Sequence, residues 1–411
     1  MPFNIGLSGL NAAQADLQTT GNNVSNSGTT GFKRSRAEFG DVFAQSFGGI
    51  SQTAIGSGTR LQAVTQQFSQ GRTEFTENGL DLAINGEGFF VLNDQGSTAY
   101  TRAGEFQVNR DGFLVNNQGQ QLQGYPPQDA NTADPNFNTG QLEDIRLQTG
   151  AAPPNATTSV EALLNLRSDA EAPDADFDLT DPETYNFSTS LTLYDSLGTA
   201  RDASIYFVKG DEVGQWAAHV AVDDGDEPSG SFELRFDGSG VLTTVDPDPA
   251  VVDVDGDALG NGANPLEFEV DFGGTTQYGG DFSVNDLNQN GFASGRLTGV
   301  DIDDSGVVFA RFTNGQSTVL GQVAMASFTN PQGLEQLGNN NWAETFAAGE
   351  PVFAAPGTGN LGTIQSGALE ASNVDIAQEL VNLITAQRNF QANAQTISTA
   401  DQVTQTIINI R

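Results

Sequence analysis

Residues 372–411, SNVDIAQELVNLITAQRNFQANAQTISTADQVTQTIINIR, decide the architecture. Ile376, Leu383, Phe390 and Ile397 step by seven, joined by Leu380, Ala386, Ala394 and Ala400. The spacing then shortens through Val403, Ile407 and Ile410. Neither Pro nor Gly interrupts residues 373–411, so the run predicts a single helix of roughly 55 Å at ~1.5 Å per residue. Ser372 and Asp375 have the spacing of a capping box, with Asp where Glu is usual.

The other end of the chain carries a matching pattern. Phe3, Leu10, Leu17 and Val24 also recur every seven residues, with the small Gly6, Ala13 and Thr20 three places after the first three. A narrow apolar stripe of this kind predicts a helix over 4–25, about 33 Å long. The economical arrangement is an α-helical coiled-coil pair formed by the N- and C-terminal helices, running antiparallel. The competing arrangement docks each helix on its own domain. Two helices alone bury too little to be stable in water, and further copies of the same chain are the simplest cover.

Between the ends the period changes from seven to two. Residues 85–125 hold short strand-like runs separated by Asn-x-x-Gly at 93–96, 109–112 and 116–119, which suits tight turns. The style returns at 297–328, around Thr313-Asn-Gly315. The expected layout is multidomain and mainly β, with two nested β domains. Residues 1–28 and 372–411 form the helical inner domain, 29–70 and 363–371 a connector, 71–150 and 292–362 a β domain, and 151–291 an inserted outer β domain. That insertion holds 28 of the 52 acidic residues and only Arg167, Arg201, Lys209 and Arg235 against them, which marks it as highly solvated.

Composition excludes several classes. A net charge of −36 over 411 residues repels nucleic acid. The chain has no cysteine, so neither disulfides nor thiolate chemistry enter. MPFNIGLSGL lacks a basic leader and an unbroken apolar run, so no secretory signal is expected, and no run is long enough for membrane insertion. Gly357-Thr-Gly359-Asn-Leu-Gly362 matches a dinucleotide fingerprint by letter, but Pro356 precedes it and polar loop follows. Asp253-Val-Asp255-Gly-Asp257 and Asp301-Ile-Asp303 open like calcium loops, yet Asn264 and Phe312 stand where the closing Glu belongs. Turn chemistry accounts for both at less cost. His219 is the sole histidine and falls on a strand-like run, leaving no catalytic cluster. No enzyme, cofactor or metal site is expected.

Residues 22–36, NNVSNSGTTGFKRSR, hold three of the chain's sixteen Lys and Arg within four positions. Asn22, Asn23, Asn26 and Gly28 are suited to ending the first helix through left-handed backbone angles, and Gly31-Phe32 to opening the connector. Lys33, Arg34 and Arg36 are expected to pair with carboxylates on adjacent copies.

This run and its continuation through Phe39 resemble the N-terminal signature of bacterial flagellar rod and hook proteins. DLAINGEGFFVL (81–92) and YTRAGEFQVNRDGFLV (100–115) look like that family's β domain, and SGALEASNVDIAQEL onward (366–411) closely resembles its C-terminal helix motif. Together these cover about 1–125 and 291–411. LTLYDSLG (191–198) is similar to the outer domain of hook members, and the large insertion favours the hook over the shorter distal rod members.

The resemblance implies a structural subunit of the flagellar hook. Such a subunit self-assembles into a flexible helical tube, a universal joint that links rod to filament and transmits torque. It implies export through the flagellar type III apparatus without a cleaved signal peptide, and an extracellular location. The implied partners are further copies, the hook cap, the rod and the hook–filament junction proteins. Paired terminal helices would line the inner wall, making Phe3, Leu10, Leu17, Val24, Ile376, Leu383, Phe390 and Ile397 the assembly seam. The competing readings are a distal rod subunit, or a secreted acidic calcium-binding adhesin that leaves both terminal heptads unexplained.

Overall fold

The computed structural model describes residues 2–42, 56–128, 136–147, 150–223 and 227–409. The expectations for Ile410, for the middle of the connector and for the last helical residues lie outside them. The described residues are mainly strand with one long helix at each end, and the chain divides into two compact units. The first comprises 1–149, 299–311 and 317–411, and the second 150–298 with 312–316.

In the first unit, α1 (Pro2–Ser25) and α2 (Ile376–Asn409) pack side by side. Gly6 lies opposite Ile397, Gly9 opposite Asn393 and Asn23 opposite Glu379, so the two run antiparallel. The heptads are used differently from expectation. The buried positions are the small or polar ones, Gly6, Ala13, Thr20 and Asn23 on α1, with Glu379 and Ala386 on α2. Close approach explains this: an added Cβ at Gly6 would come within 2.9 Å of Ile397 Cγ1. Leu10, Leu17, Val24, Leu383, Phe390 and Ile397 are half-buried at the flanks, while Phe3 and Ile376 are exposed.

The start of α2 also differs. Asp375 caps it, its Oδ1 accepting from the backbone N–H of Ala377 at 2.9 Å and of Gln378 at 3.2 Å. Ser372 lies before the helix, where its Oγ accepts from the Val374 N–H at 3.3 Å. Beside the helices, strands Ser35–Asp41 and Thr59–Gln66 pair antiparallel.

The rest of this unit is built on a large, mostly antiparallel sheet. Asp94 pairs with Ser97 across Gln95 and Gly96, both with positive φ (52° and 96°), a two-residue turn whose twist suits a hairpin. The other two Asn-x-x-Gly stretches close as expected, Gly112 N–H on Asn109 O and Gly119 N–H on Asn116 O. The core of this layer is aromatic: Phe68, Phe89 and Trp342 meet edge to face at 5.5–5.6 Å, and Tyr100 meets Phe328 at 4.8 Å.

The second unit contains two five-stranded sheets sharing one apolar core. Alternation decides its faces. Strand Ala200–Lys209 sends Ala203, Ile205 and Phe207 inward, and Gln215–Val222 sends Trp216, Ala218 and Val220. Ser159–Arg167 in the facing sheet supplies Val160, Ala162, Leu164 and Leu166. Polar and acidic residues fill the alternate positions, as in Leu266–Asp271, where Glu267, Glu269 and Asp271 are exposed.

Candidate functional site where the chain ends meet

Just beyond α1 the backbone turns at Gly31, which has φ of 69°. Asn22 and Asn23 are still helical, so the left-handed angle falls later than the Asn-rich run suggests. An added Cβ at Gly31 would lie 2.6 Å from the backbone N of Ala103, so only glycine fits. The helix end is closed instead by Asn22, whose carbonyl accepts from the Asn26 N–H at 3.1 Å and from Asn26 Nδ2 at 3.0 Å.

The Gly31 N–H donates to the backbone carbonyl of Glu370 at 2.7 Å. Phe32 is buried next to it. Lys33 follows and is itself only 1% exposed; its Nζ donates to Glu370 Oε1 at 2.6 Å and to Ser69 O at 2.9 Å. Glu370 is wholly buried, and its Oε2 accepts from Arg102 Nη1 at 3.2 Å. The Gly71 N–H adds a bond to Oε1 at 2.8 Å. Arg102 also donates to Gly86 O at 2.9 Å and lies 5.4 Å from the Phe89 ring centre. One carboxylate therefore serves two cations and a backbone amide away from water.

Burial is the largest influence on Lys33 and pulls its ammonium below the ordinary lysine value of 10.5, while Glu370 pulls it back up. Burial likewise lowers Arg102, again opposed by Glu370. A carboxylate between two buried cations makes the charged form of each tolerable, provided all three stay together.

A second set of contacts fixes the helix bases. Asn23 brackets Ser35, its Nδ2 donating to Ser35 O at 2.8 Å and its Oδ1 accepting from Ser35 N–H at 2.9 Å. The same Nδ2 reaches Glu379 Oε2 on α2 at 3.3 Å, and Arg34 stands 3.6 Å from Glu379 Oε1. Asn373 accepts from the Arg34 N–H at 2.7 Å and donates to Gln67 O at 2.7 Å and Ser69 O at 3.0 Å. The arrangement offers no nucleophile or acid–base pair. What it does is mechanical: it ties both terminal helices to the β layer at one point.

Of the residues singled out from sequence, Asn23, Gly31, Phe32, Lys33 and Arg34 meet here. Asn22 and Asn26 close the helix, and Arg36 is exposed beside Glu38 at 3.4 Å. For Lys33 the expected partner on an adjacent copy is corrected, because burial and Glu370 of the same chain already occupy its charge. Glu370, Arg102, Asn373 and Glu379 escape sequence reading. Glu370 alone leaves a trace, as the one charge in SGALEAS.

Elsewhere, Gly357-x-Gly359-x-x-Gly362 closes a turn, the Gly357 N–H donating to Gly362 O, and a strand follows it, not a helix. Asp303 Oδ1 accepts from the backbone of Ser305 and Val307 and from Ser305 Oγ, a turn of the expected kind. His219 bonds Ser231 Oγ at 2.8 Å and stacks on Phe177 at 4.1 Å.

Comparison with known proteins covers both ends and the middle of the chain. Residues 3–33 match the description "Flagella basal body rod protein", and 83–161 the "Flagellar hook protein FlgE/F/G D1 domain". Residues 165–292 match the "Flagellar basal body protein FlaE D2 domain", and 365–410 the "Flagellar basal body rod FlgEFG protein C-terminal". The flagellar hook protein FlgE of Salmonella typhimurium is 38% identical over 421 residues, with 100% of both chains covered. That of Escherichia coli K12 is 39% identical over 416 residues, again across both chains. The Borreliella burgdorferi FlgE is 30% identical over 436 residues, covering 99% of this chain and 98% of its own. The crystal structure of Helicobacter pylori flagellar hook protein FlgE2 shares the fold, with a TM-score of 0.55 at 16% identity over 72% of this chain and 100% of that one.

Proposed function

The chain belongs to the flagellar hook protein FlgE family, and from that premise we propose that its copies self-assemble into the flexible helical tube that links rod to filament and transmits torque. One observation carries the assembly reading. The terminal helix pair is anchored at its base by buried ions, yet along its length Ile5, Leu7, Leu380, Ile384, Val403 and Ile407 face solvent. Apolar surface on that scale marks an interaction site, and a contact between copies that does not close on itself builds a filament.

On this reading 1–28 and 372–411 line the tube. The eight heptad residues from Phe3 to Ile397 then meet neighbouring copies at the flanks of the α1–α2 pair. Residues 29–70 and 363–371 connect them to the β domain of 71–150 and 292–362, and the acidic insertion of 151–291 faces outward. Arg36, exposed and only loosely paired, is the connector cation free to meet a neighbour. The role is structural, without catalysis. The subunit is exported through the flagellar type III apparatus with no cleaved signal peptide and meets the cap, the rod and the junction proteins outside the cell. The test is electron microscopy of the source bacterium with this gene deleted. Complete rods without hook or filament are expected; intact flagella on motile cells would overturn the assignment, and truncated rods would transfer it to the rod.

A further inference from the structure

Along their described lengths the two terminal helices hold only four charged side chains: Asp16 on α1, and Glu379, Arg388 and Asp401 on α2. Two of them are occupied within the chain. Glu379 takes Asn23 and Arg34 at the helix bases, and Asp401 Oδ2 accepts from Gln405 Nε2 at 3.3 Å toward the far end. The side chains of Asp16 and Arg388, opposite in charge, have no hydrogen bond or ion pair among the described residues.

The geometry keeps these two apart within one copy. Asp16 stands seven residues from Gly9, which lies opposite Asn393, and seven from Asn23, which lies opposite Glu379. It therefore sits on the side of α1 turned to α2, level with the fully buried Ala386. The position is half-buried, and burial alone pushes the Asp16 carboxyl above its ordinary value of 3.8. Arg388 follows Ala386 by two residues, about 200° further round the helix, so it points away from α1 and is exposed. It shares that outer face with Val381 and Ile384, both exposed.

Covering this face with apolar surface would strip the guanidinium of water, a cost that only a carboxylate in contact offsets. Of the three carboxylates on the helices, Asp16 is the one that is both unpaired and already partly withdrawn from water, so pairing costs it the least further desolvation. Like charge is no obstacle here. Three acids against one base leave the described helices at −2, against −36 for the whole chain, so two helix pairs approach without the repulsion that separates two insertions.

We propose that Arg388 of one copy pairs with Asp16 of a second copy, placing the Val381–Ile384–Arg388 face of α2 against the neighbour's α1. The inference rests on the self-assembly reading above and names the contact within it. Donor and acceptor occupy different helices, so the contact is heterologous and continues from copy to copy.

The test returns variants to the strain lacking this gene, with the parent gene as reference. Arg388→Glu and Asp16→Arg are each expected to reach the medium yet leave at least about tenfold less subunit in hooks, because like charges then meet at the contact. Expressed together they are expected to restore hooks, since each carries the charge that the other lacks. Asp16→Asn, which keeps the shape, is expected to fall between. Ala12→Cys and Thr385→Cys lie one turn from the two charges and leave both in place, and the chain has no cysteine of its own. In hooks built from both, a short bis-maleimide is expected to give covalent dimers, and in hooks built from either alone none. Should Asp16→Arg fail to leave the cell, this cross-link decides alone. Full hooks from Arg388→Glu by itself, exported variants that do not restore each other, or the absence of mixed dimers would overturn the pair and leave the family reading intact. A parent gene that restores no hook would remove the self-assembly reading and this inference with it.

Discussion

The inserted unit and the junction of the chain ends solve the same problem in opposite ways. The insertion closes 24 buried apolar residues between two sheets, Trp216, Phe207, Phe268 and Phe272 among them. The junction buries Phe32 as well, but what sets it apart is buried charge. What it buries at the helix bases is Lys33, Glu370, Arg102, Asn23 and Glu379. Apolar burial is non-directional and tolerant of small shifts. Buried ions demand a fixed geometry and lose heavily if one partner goes. One region is thus stable by volume, the other defined by geometry, which suits a point where two helices must leave the β layer in a set direction.

The sharpest way to break this comparison is to remove the shared carboxylate. Glu370→Gln leaves Lys33 and Arg102 buried without the carboxylate they share and should cost about 3–5 kcal/mol. Phe207→Ala should cost a similar amount, about 3–5 kcal/mol, in the insertion. Urea unfolding followed by intrinsic fluorescence can separate them, since Trp342 belongs to the first unit and Trp216 to the second. Each variant is expected to shift its own tryptophan's transition and leave the other in place. If Glu370→Gln moves both equally, the two regions do not fold as independent units.

A smaller effect is expected from Gly31→Ala. The left-handed angle and the backbone of Ala103 behind it give a penalty of about 1–3 kcal/mol, confined to the same transition as Glu370→Gln. An unchanged midpoint would mean that the backbone there relaxes freely and that the junction geometry is less fixed than the ion contacts imply.

Much of the fold was legible because it is written in local periodicity. The seven-residue steps of Ile376 to Ile397 and Phe3 to Val24 announce two helices, and the two-residue alternation around His219 announces strands. What periodicity could not say is which stripe faces the partner helix. Large apolar residues mark a stripe clearly, but two helices in close contact bury the small ones, so Gly6, Ala13 and Thr20 took the place expected for Phe3, Leu10 and Leu17. The junction was legible only on one side. Lys33 stood out as a rare lysine in an acidic chain, but Glu370 lies 337 positions away and Arg102 in a different element again. Such a triad is assembled by the fold, and no spacing in the sequence encodes it.

The α2 cap separates these two kinds of information. Ser372 fits the sequence pattern, whereas Asp375 makes the bonds. Asp375→Ala should cost about 1 kcal/mol, and Ser372→Ala clearly less. Amide hydrogen exchange over 376–380 is the measurement: faster exchange in the Ser372 variant than in the Asp375 variant would return the cap to the position suggested by sequence.

The smallest effect belongs to the insertion. Burial lowers His219 below its ordinary value of 6.5, and the Phe177 ring is stacked on it at 4.1 Å. Above pH 6.5 the imidazole is neutral in both folded and unfolded chains. Below it the unfolded chain takes up the proton first, so the stability held above that pH is lost as pH falls through the folded value, and flattens beneath it. The backbone N–H and hydroxyl of Thr180 hold the Asp178 carboxyl below the ordinary carboxylate value, so the window from about pH 7.5 to 5.5 separates the histidine from it. The expected result is a melting temperature of the insertion that declines with pH in the parent and less in His219→Gln, with Phe177→Leu between them. Equal slopes in all three would show that the stack does not shield the ring from water and that His219 does not set the pH dependence of the insertion in this range.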